Sequence, residues 1–208
     1  MNTTACCVSD CTSLSVIART FTLKHTSLIE YGYLRFFSKP VDERKIYRAI
    51  ARQQARRFVE IGIGQADRTK RMLAVAGRFH DRKQLAYTGI DLFEDRPASA
   101  PGLSLKYTHQ LLRPLVGKFQ LAPGDPHSVL KRHANTLVQS DIIVVTGNPD
   151  DKTLLAAWFY VPRMLHSNTC VFVVKNSGED TENHIQLVSR QEITRLAFLS
   201  PPSARRAA

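Results

Sequence analysis

Five short apolar runs alternate with segments of helical periodicity, and this alternation constrains the fold more than any other feature of the chain. The runs are "RFVEI" (57–61), "LAYTGIDLF" (85–93), "KFQLAPGD" (118–125), "DIIVVTG" (141–147) and "TCVFVVKN" (169–176). The fourth run is almost continuously β-branched, which is typical of a strand buried on both faces of a parallel sheet. Strands that alternate with helices predict a Rossmann-like α/β fold, a doubly wound and mostly parallel sheet in three layers.

The same patterns predict the domain limits. Asp42 is a candidate N-cap for a helix that starts at 43, and other helices are predicted over 67–77, 103–116, 126–138 and 151–165. Two short runs near the carboxyl terminus, "HIQLVS" (184–189) and "TRLAFLS" (194–200), predict a closing antiparallel hairpin. We therefore predict an N-terminal extension over 1–40, partly flexible, a Rossmann domain over 41–200 and a disordered tail over 201–208.

The charge of the chain restricts its partners. The net charge is +11, and residues 35–83 hold 14 Lys or Arg against 5 Asp or Glu. Such a surface attracts polyanions, but no base-reading motif accompanies it, so we expect a solvated helix face with weak, non-specific polyanion binding. No apolar run is long enough to span a membrane, and no secretory signal is evident. Three of four cysteines, Cys6, Cys7 and Cys11, bunch together, which predicts a reducing cytoplasm and leaves a metal site there as a minor alternative.

A glycine-rich turn follows the first predicted strand. Gly62 and Gly64 lie between the strand and a predicted helix, where a main chain can approach a ligand closely. The third position of a dinucleotide-binding G-x-G-x-x-G motif is Asp67, whose carboxylate would repel a pyrophosphate, and no P-loop Gly-Lys-Ser/Thr follows. The order E-x-G-x-G-x-A from Glu60 to Ala66 instead resembles motif I of the class I S-adenosylmethionine-dependent methyltransferases, and that resemblance extends over residues 42 to about 199.

Further residues carry the same resemblance. "YTGIDLF" resembles the family's second strand, whose terminal acid, here Asp91, receives the ribose hydroxyls. "APGDP" resembles the step after the third strand, where Asp125 would meet the adenine amino group. The resemblance therefore assigns S-adenosylmethionine to Glu60, Gly62 and Gly64, to Asp91 with its neighbour Leu92, to Asp125 with Pro126, and to Thr146. The alternative is that Asp91 and Asp125 only cap the loops and helices that follow them.

From residue 141 onward the chain is most similar to the catechol and caffeoyl-CoA O-methyltransferase branch, which holds a divalent cation with acids after the fourth and fifth strands. Thr146 and the pair Lys175-Asn176 stand at those positions, and a hydroxyl with an ammonium cannot hold such a cation. We therefore expect no metal. Asp150 and Asp151 are close enough to substitute, although Asp151 is better placed to cap the next helix.

The resemblance implies an S-adenosylmethionine-dependent methyltransferase that acts on a small molecule without a metal. The acceptor and the catalytic residues stay unassigned, since Lys175, His127 and Asp150 are each only candidates for a base. Two alternatives stay open. One is a non-catalytic S-adenosylmethionine-binding protein, and the other is a nucleic-acid methyltransferase that uses the basic segment 35–83.

Overall fold

A computed structural model describes residues 27–38, 40–97, 102–147, 151–175 and 184–200. The predictions for Cys6, Cys7, Cys11 and the tail lie outside these residues. Six strands form one sheet in the order β3-β2-β1-β4-β5-β6. They are β1 (Arg57–Ile61), β2 (Ala86–Asp91), β3 (Lys118–Pro123), β4 (Ile142–Thr146), β5 (Cys170–Lys175) and β6 (His184–Val188). The first five are parallel and β6 is antiparallel to β5, so the predicted fold class is confirmed.

Helices cover both faces of the sheet. They are α1 (Leu28–Phe36), α2 (Glu43–Gln53), α3 (Asp67–Ala76), α4 (Leu105–Leu112), α5 (Pro126–His133), α6 (Lys152–Trp158) and α7 (Arg190–Leu199). Helices α1 to α4 share one apolar cluster with the sheet, and α5 to α7 share the other, which gives the predicted three layers. Both α4 and α6 are shorter than predicted, because Pro114 and Pro162 introduce short 3-10 turns. Among the helices described, none has the length and apolar character needed to cross a bilayer.

Part of the predicted N-terminal extension is a packed helix. Leu34 on α1 is buried, and the Tyr31 ring meets the Phe79 ring edge-on with centroids 5.7 Å apart. The Ser38 hydroxyl donates to the Leu34 carbonyl and closes the end of the helix. Helix α1 therefore extends the layer formed by α2 and α3, ahead of the predicted domain start at residue 41.

The predicted closing hairpin is correct in its first half and wrong in its second. Residues 184–188 form β6, but residues 194–199 belong to helix α7. The Ser189 hydroxyl accepts from the Glu192 amide at the helix start, and Ile193 and Leu196 are buried one turn apart. Apolar residues spaced three to four positions apart follow the period of an α-helix. A run of seven residues is too short to distinguish this spacing from the alternation of a strand.

Asp42 precedes α2 as predicted, but its side chain does not cap that helix. The carboxylate accepts from the Ile185 amide (3.1 Å) and pairs with Lys45 (3.0 Å). These contacts fasten the start of α2 to β6, a connection across 143 positions of sequence. The hydrogen bond from Ile185 and the neighbouring Lys45 hold the pKa of Asp42 below its ordinary value.

Candidate functional site

The carboxyl ends of the four central parallel strands meet at one edge of the sheet. β1 lies between β2 and β4, with Ile61 opposite Ile90 and Val145. The turn after β1 therefore sits between the ends of its two neighbours, next to Asp91 on β2 and Thr146 on β4. This is the position where open parallel sheets bind ligands.

The two glycines of the turn have different surroundings. Gly62 has φ +81° and Gly64 has φ +62°, a left-handed conformation that disfavours side chains. A Cβ on Gly62 would lie 2.9 Å from the Thr146 Cβ, so this glycine allows the turn to pack on β4. A Cβ on Gly64 would meet no atom within 4 Å. Gly64 thus leaves open space against the main chain, which is the feature that a ligand cradle requires.

Asp91 is buried at the end of β2 and holds this turn in place. Its Oδ2 accepts from the amides of Ile63 (2.7 Å) and Gly64 (3.2 Å). Its Oδ1 accepts from the Phe93 amide (3.4 Å) and from the Arg96 guanidinium, which forms an ion pair with it. A carboxylate has about four acceptor positions, so these four donors occupy all of them.

Arg96 lies where a donor from a ligand would have to approach Asp91. Its side chain is 12% exposed. A Cβ on Gly102 would fall 1.3 Å from the Arg96 Nη1, so the guanidinium passes directly over the backbone of that glycine. Ribose hydroxyls can therefore reach Asp91 only if Arg96 first moves away.

Glu60 is completely buried and its carboxylate is satisfied within the protein. Oε1 accepts from Nε (3.0 Å) and Nη2 (2.9 Å) of Arg68. Oε2 accepts from the hydroxyls of Thr69 (2.5 Å) and Tyr87 (2.9 Å). Burial, reinforced by the charge of Glu60, raises the pKa of Tyr87 well above its ordinary value, so this phenol remains a donor. In this geometry Glu60 supports the turn from beneath rather than facing a ligand.

Arg68 connects this buried cluster to the open edge. Besides pairing with Glu60, its Nη2 donates to the Gly62 carbonyl (3.3 Å) and to the Thr146 hydroxyl (2.7 Å). One guanidinium therefore joins β1, the turn and β4. Thr146, the expected counterpart of a metal-binding acid, instead accepts from a cation.

Asp125 and Pro126 stand at the start of α5, after β3. The Asp125 carboxylate accepts from the Ser128 amide (2.9 Å), and Pro126 occupies the first turn of the helix. Partial burial raises the pKa of Asp125, but the hydrogen bonds from Ser128 lower it by a larger amount. The pKa of this carboxyl therefore lies below its ordinary value. The capping contact predicted as the alternative is thus present. Leu92 is half-buried beside Asp91, and its aliphatic side chain has no hydrogen-bonding atom.

The structure describes only some of the residues that the sequence offers as a catalytic base or as metal ligands. Lys175 is exposed at the end of β5, and the His127 ring lies 5.7 Å from the Tyr160 ring. The Asp151 carboxylate accepts from the Thr153 amide (2.9 Å) and caps α6 as predicted. Asp150 and Asn176 lie outside the described residues. Within the described ranges no cluster of three metal-ligating side chains occurs, and metal independence stays a prediction.

Sequence reasoning missed Arg68 and Arg96. Arg68 belongs to the segment 35–83, for which a solvated basic face is predicted, and Arg96 lies outside it, yet both side chains are mostly buried against acids. The available signal was position: Arg68 follows the glycine turn by four residues, and Arg96 follows Asp91 by five. Each buried acid at the edge of the sheet needs a counter-charge, and the next cation after it in the chain supplies it.

No protein-family model and no curated protein matches the chain. The solved structures that it resembles are S-adenosylmethionine-dependent methyltransferases. CalS11, a calicheamicin methyltransferase, aligns at 12% identity with a TM-score of 0.50, over 72% of this chain and 66% of CalS11. The methyltransferase CalH, crystallised with S-adenosylhomocysteine, aligns at 13% identity and TM-score 0.47, over 83% of this chain and 42% of CalH. A Staphylococcus aureus protein assigned as a caffeoyl-CoA O-methyltransferase aligns at 13% identity and TM-score 0.45, over 78% and 72% of the two chains.

The likeness to CalS11 establishes that the chain has the fold of these methyltransferases. The chain spans about two thirds of CalS11 and less than half of CalH. At such low identity the shared fold does not transfer an activity. The function must therefore be argued from the residues at the edge of the sheet.

Proposed function

We propose that the chain binds S-adenosylmethionine at the carboxyl edge of β1 to β3 and transfers its methyl group to a small molecule. The observation that carries this proposal is the open space at Gly64. Gly64 is half-buried beside a buried acid and has free space where a Cβ would lie, whereas the same space at Gly62 is occupied by Thr146. A turn needed only for packing would close against the protein at both glycines.

The residues present fit the cofactor in one part of the site and require a movement in the other. Gly62 and Gly64 would take the methionine part, which carries a sulfonium and an ammonium and is compatible with nearby acids. Asp91 would take the ribose hydroxyls only after Arg96 releases Oδ1, and Asp125 would lie near the adenine while it caps α5. The cofactor supplies an electrophilic methyl group, and the role of the protein is to align the acceptor with it.

Arg68 and Glu60 serve this site indirectly. Arg68 holds the Gly62 carbonyl and the Thr146 hydroxyl at fixed positions, and Glu60 fixes Arg68. Both are positioning residues, since their polar atoms are satisfied inside the protein. Methyl transfer here would proceed without a divalent cation, because Thr146 and Lys175 replace the expected ligands.

Calorimetric titration with S-adenosylmethionine and S-adenosylhomocysteine tests the proposal. We expect binding by the wild type and at least tenfold weaker binding by Gly64→Ala, because the added methyl group would project into the ligand space. The left-handed conformation of residue 64 costs that variant about 1 kcal/mol of stability, so it should remain folded. Urea unfolding of both proteins verifies this, and a wild type that releases no heat with either compound at millimolar concentration would refute the proposal.

Arg96→Met tests how the ribose is recognised. The substitution keeps an unbranched side-chain stem and removes the guanidinium from Oδ1 of Asp91, so we expect cofactor affinity to rise several-fold. Arg78→Met, at an exposed arginine after α3, is the matched control and should change nothing. A loss of affinity in Arg96→Met would instead show that the guanidinium itself contacts the cofactor.

The ion pair between Asp91 and Arg96 also favours a second candidate, a cofactor-binding protein without turnover. An enzyme must admit its cofactor repeatedly, and a buried ion pair across the ribose position opposes this. Turnover on a panel of small-molecule acceptors separates the two candidates. The nucleic-acid alternative is weakened, because Arg68 and Arg71 of the basic segment are paired with Glu60 and Glu43 (2.9 and 2.7 Å).

A further inference from the structure

A cavity of about 520 Å³ lies between α1, α2 and the β5–β6 edge of the sheet. Its wall includes Cys170, the first residue of β5, whereas the glycine turn lies near the carboxyl ends of the parallel strands. The cavity is therefore separate from the candidate cofactor site. Its volume falls within the range of ordinary small-molecule pockets, about 300 to 1,000 Å³.

Four cationic side chains line this cavity: Arg35, Lys45, Arg48 and Arg52. Lys45 is neutralised by Asp42, with Nζ 3.0 Å from its carboxylate. Across the part of the chain that the structure describes, the ion pairs include none with the three arginines. Arg48 and Arg52 are one helical turn apart on α2, where like charges repel each other. Among the described residues, three guanidinium groups thus line one cavity without a carboxylate partner.

Arg35 adds a second, independent observation. Its Nη1 donates to the Tyr31 hydroxyl (2.7 Å), but its Nε is buried and has no hydrogen-bond partner among the residues that the structure describes. Burial of an unpaired donor costs about 1 to 3 kcal/mol. The Phe36 ring lies 5.2 Å from the guanidinium carbon and restricts its position. The side chain is therefore held in the cavity wall while one of its donors lacks an acceptor.

The floor of the cavity is apolar. It contains Ala49 of α2 together with Phe172 and Leu187, which face each other across the β5–β6 pair. Phe172 is buried, but Leu187 is 53% exposed on the edge strand. An apolar surface under converging arginines suits a ligand with an anionic group at one end and a hydrophobic group at the other.

We propose that this cavity binds a phosphate monoester that carries an apolar group. The arginines would hold the phosphate through charge-assisted, bidentate hydrogen bonds, and Phe172 with Leu187 would contact the apolar group. A phosphate dianion matches three guanidinium groups that have no carboxylate partner among the described residues better than a single carboxylate does. The proposal does not depend on S-adenosylmethionine binding, since it uses other residues.

Calorimetric titration of the whole chain with hexyl phosphate and with inorganic phosphate tests the proposal. We expect hexyl phosphate to bind at least tenfold more tightly than inorganic phosphate. The double variant Arg48→Gln/Arg52→Gln should lose at least tenfold in affinity for both probes. Lys131→Gln/Arg132→Gln removes two exposed charges from α5 on the opposite face of the sheet and should change either affinity less than twofold.

Leu187→Ser separates the apolar part of the site from the charged part. It should weaken hexyl phosphate several-fold and leave inorganic phosphate unchanged. Equal affinity for the two probes in the wild type, or equal losses in the α2 and α5 double variants, would overturn the proposal. Absence of hexyl phosphate binding would do the same.

Vesicles identify the source of the phosphate. Co-sedimentation with phosphatidic acid in phosphatidylcholine, blocked by hexyl phosphate and lost in the Arg48→Gln/Arg52→Gln variant, would identify a lipid headgroup as the ligand. Hexyl phosphate binding without co-sedimentation would identify a soluble phosphate monoester. Co-sedimentation that hexyl phosphate does not block would place vesicle binding outside the cavity and contradict the lipid assignment.

Discussion

The buried carboxylate of Glu60 should contribute strongly to stability, and Glu60→Gln is the substitution that measures it. Glutamine has nearly the same shape, so the packing around residue 60 is preserved. The change removes the negative charge and leaves the Arg68 cation with neutral acceptors only, which are the new amide oxygen, the Gly62 carbonyl and the Thr146 hydroxyl. The hydroxyls of Thr69 and Tyr87 can rotate to accept from the new amide group, so their hydrogen bonds are partly retained.

The expected cost follows mainly from the unpaired arginine. Removal of one partner of a buried ion pair costs about 3 to 5 kcal/mol. The Arg68 side chain is 10% exposed, which admits some hydration, so we expect about 3 kcal/mol for Glu60→Gln. With a urea m-value of about 2 kcal/mol/M, the unfolding midpoint should fall by about 1.5 M.

A double-mutant cycle assigns this cost to the pair. Arg68→Met alone leaves the Glu60 anion buried with two hydroxyl donors, and it should be destabilising by a similar amount. The double variant removes both charges, so it should cost less than the sum of the single variants by about 2 kcal/mol or more. Urea unfolding followed by circular dichroism at pH 7 gives all three free energies.

Asp67→Asn supplies a matched control on the same helix. Asp67 pairs with Lys70 at 2.7 Å, but both side chains are exposed, so its loss should cost less than about 1 kcal/mol. A Glu60→Gln protein as stable as Asp67→Asn would refute the inference that burial of the charged pair determines the cost. Strictly additive single variants would refute the pairing itself.

Four further predictions concern acid stability, a helix cap, metal and polyanions. The hydrogen bond from Ile185 and the pairing with Lys45 lower the folded-state pKa of Asp42. The contribution of Asp42 to the free energy of unfolding should therefore be present above about pH 4 and disappear as the pH falls through its folded-state pKa. Asp42→Asn should cost about 1 kcal/mol at pH 7 and flatten the dependence of stability on pH below pH 4. Asp125→Ala should cost about 1 kcal/mol through loss of the helix cap, seen as a lower unfolding midpoint, and should weaken cofactor binding less than Gly64→Ala does. Methyl transfer should be unchanged by EDTA, whereas a rate restored only by Mg²⁺ would contradict metal independence. Binding of a single-stranded DNA to the 35–83 segment should weaken steeply with salt in a fluorescence anisotropy titration, and tight binding at high salt would favour the nucleic-acid alternative.

The sequence alone determined the architecture. Buried β-branched runs such as 142–145, alternating with amphipathic helices, specify a parallel sheet, because each pattern buries its apolar side chains in only one way. The turn at Gly62 and Gly64 is also predictable from the sequence, since glycine is the residue that most readily adopts the left-handed backbone conformation of such turns. The run 194–200 was misassigned because it is too short to show its period.

Only the tertiary structure decided what the acids at the edge of the sheet contact. Sequence patterns record which faces of a strand are buried, but they do not record which cation reaches a given carboxylate. Glu60 meets Arg68, and Asp91 meets Arg96, because the turns after β1 and β2 bring those side chains back over the strand ends. Asp91 also accepts from the Ile63 amide, a contact that exists only when β1 and β2 are paired in register. The identity of these residues was therefore readable from the sequence, whereas their partners depend on side-chain geometry that only the folded sheet defines.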